Sequence, residues 1–555
     1  MRMSWESSPL APDQHFQVVV ARREGADWQR VLEQDVGKAT NYTYRFAEPG
    51  SYSLNLVVLQ GPRQVTAQWI GQTSVLPIQA TPWAFMMLCL AAVVLAAVLG
   101  WRSFRRRYAE GWRIGAWLGA AGSWSRQHVL LYVVLLVSIA LRAAVSFSMD
   151  AHLTGDAQDY WGNAGQLWYF LRYLALGQVY AAAHFYPYPY YPHGFAFLLA
   201  PIYGIFGLNW AVLHILNIIW DTATIIFVFL IGSRLFGPRA GYIGMILMAL
   251  YPGFINMDYM LFPEQPFTAL LMAVIWLIVR CPMEKRGAWR LIGMGALLGV
   301  TAVIRPFALP MPAMIFVYLL FVAVQRKVAL RRAIRTWAWF TCGAIAAVLP
   351  ITAANWAKFH EFIPVSNNSG VTIWHGNNPR ATGTYNPVFE KENPFGGLPY
   401  ADANRLGMRL AKDFIVQHPG RFLALAPIKI RHSYADDYNL AGGWPYRSPT
   451  GSDRWVVAIW SSPAPHVYHV ILVSLWVVGV AWFFVVVARR ESTPEAWLIV
   501  FMFGYWTAIA VLVFGHAKYA APLIPLMCVF AAAPLRPRPA RPKAPAEKPA
   551  RVKAS

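Results

Sequence analysis

The chain has 555 residues, of which 57% are hydrophobic and only 13% are charged, whereas a soluble protein carries about a quarter charged residues. This composition excludes a soluble fold and indicates that most of the chain lies in lipid. The net charge of +22 comes from Lys and Arg residues that cluster between and after apolar segments. Because that clustering is the positive-inside pattern of membrane proteins, we predict no nucleic-acid partner.

The cysteines and the N-terminus add two further expectations. The opening residues, MRMSWESSPLAPDQ, contain no apolar stretch of the kind that a cleavable signal peptide needs. Export of the first segment is therefore expected to depend on a later helix. The four cysteines lie in or beside apolar segments without the spacing of a metal site, so we expect packing roles for Cys89, Cys281, Cys342 and Cys528.

Residues 1–80 are patterned like a soluble domain. Alternating runs such as FQVVVARR and SYSLNLVVLQ are separated by Gly and Pro turns, which is typical of β-strands. A small extracytoplasmic β-sandwich is therefore predicted here. The segment Tyr42–Val58 is similar to two consecutive strands of PKD or immunoglobulin-like modules.

From Trp83 onward, apolar segments alternate with basic loops, and about eleven of them could cross a bilayer as helices. The predicted fold class is therefore an all-α polytopic membrane protein preceded by the sandwich. With the Arg-rich loops inside, the N-terminus lies outside and the C-terminus in the cytoplasm, in the cytoplasmic (inner or plasma) membrane. The predicted spans are Trp83–Trp101, Val129–Phe147, Trp210–Ile231, Tyr242–Met257, Phe267–Val279, Leu291–Ile304, Phe307–Val324, Trp337–Ala354, Val467–Val487, Trp497–Val513 and Tyr519–Ala533.

These features divide the chain into four predicted parts. They are the sandwich at 1–80, a first transmembrane helix with a basic cytoplasmic loop at 81–127, a transmembrane catalytic domain at 128–534, and a disordered basic cytoplasmic tail at 535–555. Two long outer loops of the third part, 148–209 and 355–466, concentrate its acidic residues. An extracytoplasmic active site requires acids that face a common outer cavity.

Several motifs follow one another from about residue 128 to 533. They are Gly155-Asp156, Tyr160 with Ala164, Tyr191-Pro192, Phe206-Gly207, RLFGPRAG, YPGFINMDYMLFPEQPF, AVIRPFALP, WHGNNPRATGTYNP and GHAKYAAPLIP. In this order they resemble the glycosyltransferase C-fold superfamily, which contains protein mannosyltransferases and lipid A aminoarabinose transferases. The resemblance implies an inverting enzyme that transfers a hexose or pentose from a polyprenyl-phosphate-linked donor to an extracytoplasmic acceptor.

Two carboxylates are candidates for the catalytic chemistry. Asp156 follows a membrane exit and could take the proton of the acceptor hydroxyl as the sugar is attacked, although LTGDAQD is also a plausible helix N-terminus. Glu264 lies at the outer end of a span, where a carboxylate should face the cavity and bind the acceptor or a metal. The alternative for Glu264 is a cap for the helix that begins near Pro266.

Three side chains are candidate ligands for the donor phosphate. Arg305 is a cation at the break between two apolar segments, with an ordinary snorkelling Arg as the alternative. His516 and Lys518 lie together at an outer helix start. Many relatives have Arg-Tyr where this chain has Lys518-Tyr519, so this cation would bind phosphate without a bidentate fork.

The remaining candidates concern the acceptor, the sugar and a metal. Acceptor or sugar binding is predicted for Asp159, Tyr160, Tyr191, Asn377 and Asn378. Asp159 also fits a solvated neighbour of Asp156, the Tyr-Pro-rich segment also fits an aromatic membrane belt, and turn chemistry also explains the two Asn residues. No cofactor is indicated with certainty, and a divalent metal held by Glu264 or His193 stays open.

Two other classes of protein compete with a transferase. A transporter or lipid-linked glycan flippase would also be apolar, basic inside and many-spanned, but such proteins place ionisable residues near the bilayer midplane and often show repeated halves. This sequence has no evident repeat, and its acids lie mainly in the outer loops. A ligase or acyltransferase would need a nucleophile that the motifs do not supply. The sugar, and whether the acceptor is a glycan, lipid or protein, stay open; membrane lipids are expected partners.

Overall fold

The computed structural model describes the strands near the N-terminus and most of the chain beyond residue 114. The described residues are 2–4, 14–24, 27–37, 41–43, 50–60, 63–75, 114–149, 151–153, 155–385, 394–435, 456, 459 and 462–535. The predicted first span, Trp83–Trp101, and the predicted tail beyond residue 535 lie outside them. Those two predictions, and the domain boundaries that depend on them, stay predictions.

The N-terminal residues form antiparallel strands, as their alternating pattern predicts. The strands are β1 (Arg2–Ser4), β2 (Gln14–Glu24), β3 (Asp27–Gly37), β4 (Asn41–Thr43), β5 (Gly50–Gln60) and β6 (Arg63–Val75). The order β3-β2-β5-β6 makes one sheet, and β1 pairs with β4 in another. Phe16 and Val18 are buried and share one face of β2 because side chains alternate along a strand.

The two consecutive strands expected over Tyr42–Val58 are present but do not pair with each other. β4, which contains Tyr42, pairs with β1, whereas β5 pairs with β2 and β6. The two strands of that segment are therefore not neighbours in a sheet. Stacking of the two sheets into a sandwich stays a prediction.

Beyond residue 114 the described chain is built almost entirely of α-helices. They are α1 (Ile114–Ser148), α2 (Asp156–Ala175), α3 (Val179–Phe185), α4 (His193–Phe206), α5 (Trp210–Phe236), α6 (Pro238–Ala249), α7 (Pro252–Met257), α8 (Glu264–Arg280), α9 (Ala288–Ile304), α10 (Met311–Arg326), α11 (Leu330–Phe359), α12 (Ser369–Gly376), α13 (Tyr400–Gln417), α14 (Pro419–Tyr434), α15 (Ala464–Ala488), α16 (Pro494–Leu512), α17 (Ala517–Ala520) and α18 (Ile524–Ala531).

Seven helical segments of the described chain are long and apolar enough to cross a membrane. They are Val129–Ser148, Trp210–Phe236, Pro306–Arg326, Leu330–Phe359, Ala464–Ala488, Pro494–Leu512 and Ala517–Leu535. Large apolar side chains such as Leu136 and Val478 are exposed on these segments, as lipid-facing residues are. The prediction of an integral, predominantly α-helical membrane protein is confirmed. The count of about eleven spans stays a prediction.

Two regions depart from the predicted layout. The expected span Tyr242–Met257 is divided into α6 and α7, because Tyr251 adopts an extended conformation (ψ 114°) before Pro252, and a residue that precedes proline disfavours the helical region. The predicted outer loop 148–209 contains the apolar helix α4, which has 14 residues.

Small residues bring α9 and α11 into close backbone contact. A Cβ atom added to Gly295 would lie 1.7 Å from the carbonyl oxygen of Phe340, and one added to Gly343 would lie 2.0 Å from that of Ile292. Such contacts are typical of helix packing in membranes, where dispersion and not water exclusion holds helices together. The pair fixes the C-terminal end of α9, where Arg305 lies.

Candidate active site

The candidate base lies at the first residue of α2. Gly155 precedes it with φ of 51°, a left-handed conformation that glycine adopts without steric cost. The Asp156 carboxylate is exposed and accepts a hydrogen bond from the Tyr191 hydroxyl at 2.9 Å. Asp156 thus stands in the first turn of a helix whose N-cap is Gly155, and its carboxylate is open to solvent.

Asp159 lies one turn further along α2 and is also exposed. Partial burial, and then the negative charge of Asp156, raise the pKa of Asp159 above its ordinary value. The two acids therefore interact electrostatically, and the neighbour role predicted for Asp159 is compatible with its position.

Tyr160 connects α2 to the other parts of the site. Its buried ring packs against the rings of Tyr191, at 5.3 Å between centroids, and Phe195, at 5.2 Å. Burial raises the pKa of the Tyr160 hydroxyl. The charges that act on it next in size are those of Arg305, then Asp156 and Glu264. The Tyr160 phenol therefore packs against the segment that contains Tyr191 and is influenced electrostatically by charges from α2, α8 and the end of α9.

Glu264 and Arg305 form an ion pair between the start of α8 and the end of α9. The Arg305 Nη2 atom lies 2.7 Å from Glu264 Oε1, and the side chains are only 13% and 1% exposed. The pairing accounts for a buried carboxylate and a buried cation, and it excludes a simple snorkelling role for Arg305. Glu264 is the first residue of α8, and its Oε1 atom accepts the hydrogen bond from Arg305.

This ion pair uses only one arm of each partner. Among the described residues, neither Arg305 Nη1 nor Glu264 Oε2 has a hydrogen-bond partner. A buried polar atom without a partner destabilises the folded chain by roughly 1–3 kcal/mol, and a ligand that bonds to the atom could remove this cost. Burial lowers the pKa of Arg305, but the charge of Glu264 and the neighbouring phenols raise it by more. The pKa therefore lies above its ordinary value, and the guanidinium remains charged.

The closing motif GHAKY supplies the remaining predicted cation. The Lys518 ammonium lies 3.8 Å from the ring centroid of Phe262, a cation–π contact. His516 Nδ1 accepts a hydrogen bond from the Lys518 backbone N–H at 3.1 Å, which places the proton of the neutral ring on Nε2. Tyr519 interacts electrostatically with Arg305 and Asp156. The motif therefore adjoins the same site.

Asn377 and Asn378 are buried, and their side-chain amides bind the backbone. Asn377 Nδ2 donates to the carbonyl of Leu512 at 2.7 Å, and Asn378 Nδ2 donates to that of Trp374 at 2.9 Å. The Asn377 bond holds the loop against the end of α16, whereas the Asn378 bond returns to α12. A part in acceptor or sugar binding stays a prediction for both residues.

His193 is buried beside the Tyr-Pro-rich segment. Its Nε2 atom lies 3.2 Å from the carbonyl oxygen of Pro187, and its ring packs edge-on against Tyr186. Within the described ranges, no three His, Cys, Asp or Glu side chains are grouped as a metal site would need. Metal binding by His193 or Glu264 stays a prediction.

Sequence reasoning missed two polar clusters that support the site. Lys429 on α14 is buried and donates to Asn377 Oδ1 at 2.9 Å and to the Val511 carbonyl at 2.7 Å. Burial lowers the pKa of Lys429 to about 8. Helical spacing could have indicated from the sequence that Lys429 is buried, because Lys429 shares one face of α14 with Leu425 and Ser433.

The second missed cluster consists of Arg142, Asp221 and Asp258, all fully buried. One guanidinium nitrogen of Arg142 lies 2.5 Å from Asp221 Oδ2 and 2.6 Å from Asp258 Oδ2. Asn217 holds the same segment through the carbonyl of Asp258 at 3.0 Å. The cluster therefore anchors the chain six residues before Glu264. The sequence feature that could have indicated this cluster is the presence of the charged residues Arg142 and Asp221 inside predicted apolar spans.

An apolar cavity of about 290 Å³ lies between α9 and α11. Its lining includes Ala302 at the end of α9, and Ala308 and Leu309 directly after Arg305. The cavity thus adjoins the segment that carries the half-paired arginine.

Residues 191–356 match the model of the family described as dolichyl-phosphate-mannose-protein mannosyltransferase. The matched segment begins at Tyr191, the partner of Asp156, and contains both Glu264 and Arg305. Over this segment the chain is similar to that family. The match agrees, over these residues, with the resemblance predicted from the order of the motifs. No protein of curated function matches the chain.

Solved structures are similar to the chain at low identity. The apo oligosaccharyltransferase of Archaeoglobus fulgidus is 14% identical, with a TM-score of 0.43 over 74% of this chain and 51% of that one. ArnT of Cupriavidus metallidurans, bound to undecaprenyl phosphate, is 12% identical, with a TM-score of 0.33 over 73% and 78%. The chain spans about half the length of the archaeal enzyme.

Proposed function

We propose that the chain is an integral membrane glycosyltransferase that moves a sugar from a polyprenyl-phosphate donor to an extracytoplasmic acceptor. The observation that carries the proposal is an exposed carboxylate, Asp156, that is bound by a tyrosine packed on Tyr160, and a half-paired arginine, Arg305, whose charge acts on the same phenol. Transfer from a phosphate ester needs these two elements, an acceptor for a hydroxyl proton and a cation for the leaving phosphate.

The donor phosphate would occupy the open side of the Glu264–Arg305 pair. Arg305 Nη1 would donate to a phosphate oxygen, which gives that buried atom the partner it lacks among the described residues. Lys518 would add a second positive charge from the other side of the site. Glu264 keeps the guanidinium oriented through its 2.7 Å contact with Nη2.

The acceptor hydroxyl would lie beside Asp156. As its oxygen forms a bond to the anomeric carbon, its proton passes to the Asp156 carboxylate, and the bond between that carbon and the phosphate oxygen breaks. Both electrons of that bond leave with the polyprenyl phosphate, whose growing charge Arg305 and Lys518 stabilise. Attack from the side opposite the phosphate gives inversion, as the resemblance implies. The Tyr191 hydroxyl, which donates to Asp156, orients the base.

The lipid part of the donor would follow the apolar cavity between α9 and α11. Its lining is built from residues such as Leu298, Ala302 and Val348, which match a hydrocarbon chain and offer no hydrogen bonds from their side chains. Because the cavity adjoins the segment after Arg305, phosphate and tail could be bound together.

The orientation of the chain is part of the proposal. We place the Arg305 end of the Pro306–Arg326 segment outside, because Arg326 and the basic run that follows it then lie in the cytoplasm. The N-terminus is then outside and the C-terminus inside. A reporter fused after Ser555 that is active only in the extracytoplasmic compartment would reverse this assignment.

Binding of undecaprenyl phosphate to the purified chain in nanodiscs tests the function. We expect binding that is much weaker for undecaprenol, which lacks the phosphate, and weakened about 10- to 100-fold by Arg305→Gln. Asp156→Asn is the matched control and should bind the lipid normally while losing transfer. Equal binding of undecaprenol and undecaprenyl phosphate would contradict the proposal.

A lipid-linked glycan flippase or transporter is the second candidate, and the buried cluster of Arg142, Asp221 and Asp258 favours it. Ionisable groups inside spans are common in transporters, and these three are fully buried. Reconstitution in liposomes separates the two functions. Movement of an intact lipid-linked sugar across the bilayer, without covalent transfer to an acceptor, would support the second candidate.

A further inference from the structure

Two segments that are distant in sequence bring tyrosine rings together beside Asp156. The ring centroids of Tyr190 and Tyr400 are 4.8 Å apart, and those of Tyr188 and Tyr400 are 5.5 Å apart with an interplanar angle of 23°. We call Tyr188, Tyr190 and Tyr400 the tyrosine patch. Tyr190 and Tyr188 lie before α4, whereas Tyr400 is the first residue of α13.

The tyrosine patch is open to solvent and continuous with the candidate base. Tyr400 is 55% exposed, and the other two rings are half-buried. Tyr190 lies 5.1 Å from the ring of Tyr191, whose hydroxyl donates to Asp156. Burial raises the pKa of Tyr190, and Tyr400, Asp156 and Asp159 raise it further. A ligand on the patch would therefore reach the two acids.

A hydrogen-bond network holds the tyrosine patch in place from below. The Tyr188 hydroxyl donates to Glu361 at 3.0 Å and accepts from Asn367 at 2.6 Å. Asn404, on the same helix as Tyr400, donates to Asn367 at 2.5 Å. The rings are thus fixed before any ligand binds, which lowers the entropy lost on binding.

The surroundings of the tyrosine patch are charged. Asp402 and Arg405 are paired at 2.7 Å and their side chains are 50% and 62% exposed, while Asp156 and Asp159 are exposed at the other end. Exposed charges on both sides oppose insertion of the patch into lipid, because each would have to be desolvated. The aromatic-belt interpretation of these tyrosines is therefore disfavoured.

We propose that the tyrosine patch is a subsite for a saccharide chain, so that the acceptor of the proposed transfer reaction is a glycan. A pyranose ring has a C–H face that packs on the electron-rich face of an aromatic ring, and hydroxyl groups at its edge that bind carboxylates and guanidinium groups. The exposed face of Tyr400 supplies the first surface, and Asp159, Asp402 and Arg405 supply the second. The inference rests on the proposed function for its role but not for its binding test.

Saturation-transfer NMR with cellohexaose tests this subsite on the full chain in nanodiscs, without a donor. We expect signal on the ring protons, and a dissociation constant about three- to tenfold higher for Tyr400→Ala. Tyr400→Phe keeps the ring and should bind like the parent. Tyr180→Ala removes a tyrosine of α3 that is 91% exposed and outside the patch, so it should also leave binding unchanged.

Two results would overturn the proposal. One is absence of cellohexaose binding, or binding that Tyr400→Ala leaves unaltered. The other is binding of a proline-rich peptide, and not of cellohexaose, that is lost in Tyr400→Ala, because the subsite would then recognise protein. Since no sugar is transferred in this experiment, failure of the transferase proposal would leave its outcome unaffected.

Discussion

Two arginines flank the membrane segment Pro306–Arg326: Arg305 directly precedes it, and Arg326 is its last residue. Their side chains are bound in different ways. Arg326 uses both terminal nitrogens, one with Glu284 at 2.6 Å and the other with Glu495. Arg305 uses one nitrogen with Glu264 and leaves the other without a partner among the described residues. One cation is closed by two carboxylates, and the other has an open position.

The lysines show the same contrast. Lys429 makes two hydrogen bonds, to Asn377 and to the Val511 carbonyl. Lys518 has an aromatic ring beneath its ammonium group, and no carboxylate of the described chain is paired with it. Cations that are bound by several protein groups hold helices and loops together, whereas cations with few protein partners can bind an incoming anion. The difference separates Arg326 and Lys429 from Arg305 and Lys518.

The largest expected effect is that of Asp156→Asn, which tests whether the open region is catalytic. The amide keeps the size of the side chain but cannot accept a proton, so the transfer rate should fall about 10²–10⁴-fold. The measurement is single-turnover transfer from the bound donor. Asp159→Asn is the internal control and should cost much less. If Asp156→Asn is nearly as fast as the parent while Glu264→Gln is inactive, Glu264 is the base.

A matched pair of substitutions tests the two arginines directly. Arg305→Gln should weaken binding of undecaprenyl phosphate about 10- to 100-fold and change the thermal midpoint little, because it removes an open donor. Arg326→Gln should do the reverse. It strands Glu284 and Glu495, which costs about 2–3 kcal/mol of stability given partial solvent access, and leaves lipid binding intact.

The opposite result would contradict the roles assigned to the two arginines. If Arg326→Gln weakened lipid binding while Arg305→Gln lowered only the thermal midpoint, Arg305 would be a structural residue. The phosphate would then have to bind elsewhere.

Lys518→Gln should have a smaller effect of the same kind. The ammonium is a point charge without the fork of an arginine, so we expect about a fivefold loss of affinity for undecaprenyl phosphate. Lys518→Arg should retain or improve binding. Unchanged titrations for Lys518→Gln would assign this lysine to its contact with Phe262 alone.

The candidate residues that the sequence indicated most directly lie where apolar segments end. Asp156, Glu264 and Arg305 each interrupt or border a hydrophobic run, so the cost of burying their charges was visible without a structure. Their convergence on Tyr160 could not be predicted, because it depends on how the helices pack. The bound state of Asn377 was equally hidden, since its partner Leu512 is 135 residues away.

The structural supports were harder to predict for the same reason. Arg142 lies 79 residues from Asp221 and 116 from Asp258, and no local pattern couples such positions. A lone charge within an apolar run predicts a partner, but it does not say which partner. The division of the predicted span at Tyr251 was, by contrast, readable from Pro252.

The smallest expected effect is the pH dependence that Lys429 contributes to stability. Burial lowers its pKa in the folded chain to about 8, from an ordinary value of 10.5. Between these two values the unfolded chain binds the proton more strongly than the folded chain. The contribution of Lys429 to stability is therefore constant below pH 8, rises with pH up to about 10.5, and is constant above it.

Lys429→Met removes this titration, so parent and variant should differ in the slope of thermal midpoint against pH only within that window. We expect the change in relative stability across this window to be on the order of 1 kcal/mol. Lys412→Met on α13, whose lysine is exposed, is the matched control and should track the parent across the range. Parallel curves for the parent and Lys429→Met would show that the ammonium is solvated in the folded state. The contrast between a buried Lys429 and an open Lys518 would then be wrong.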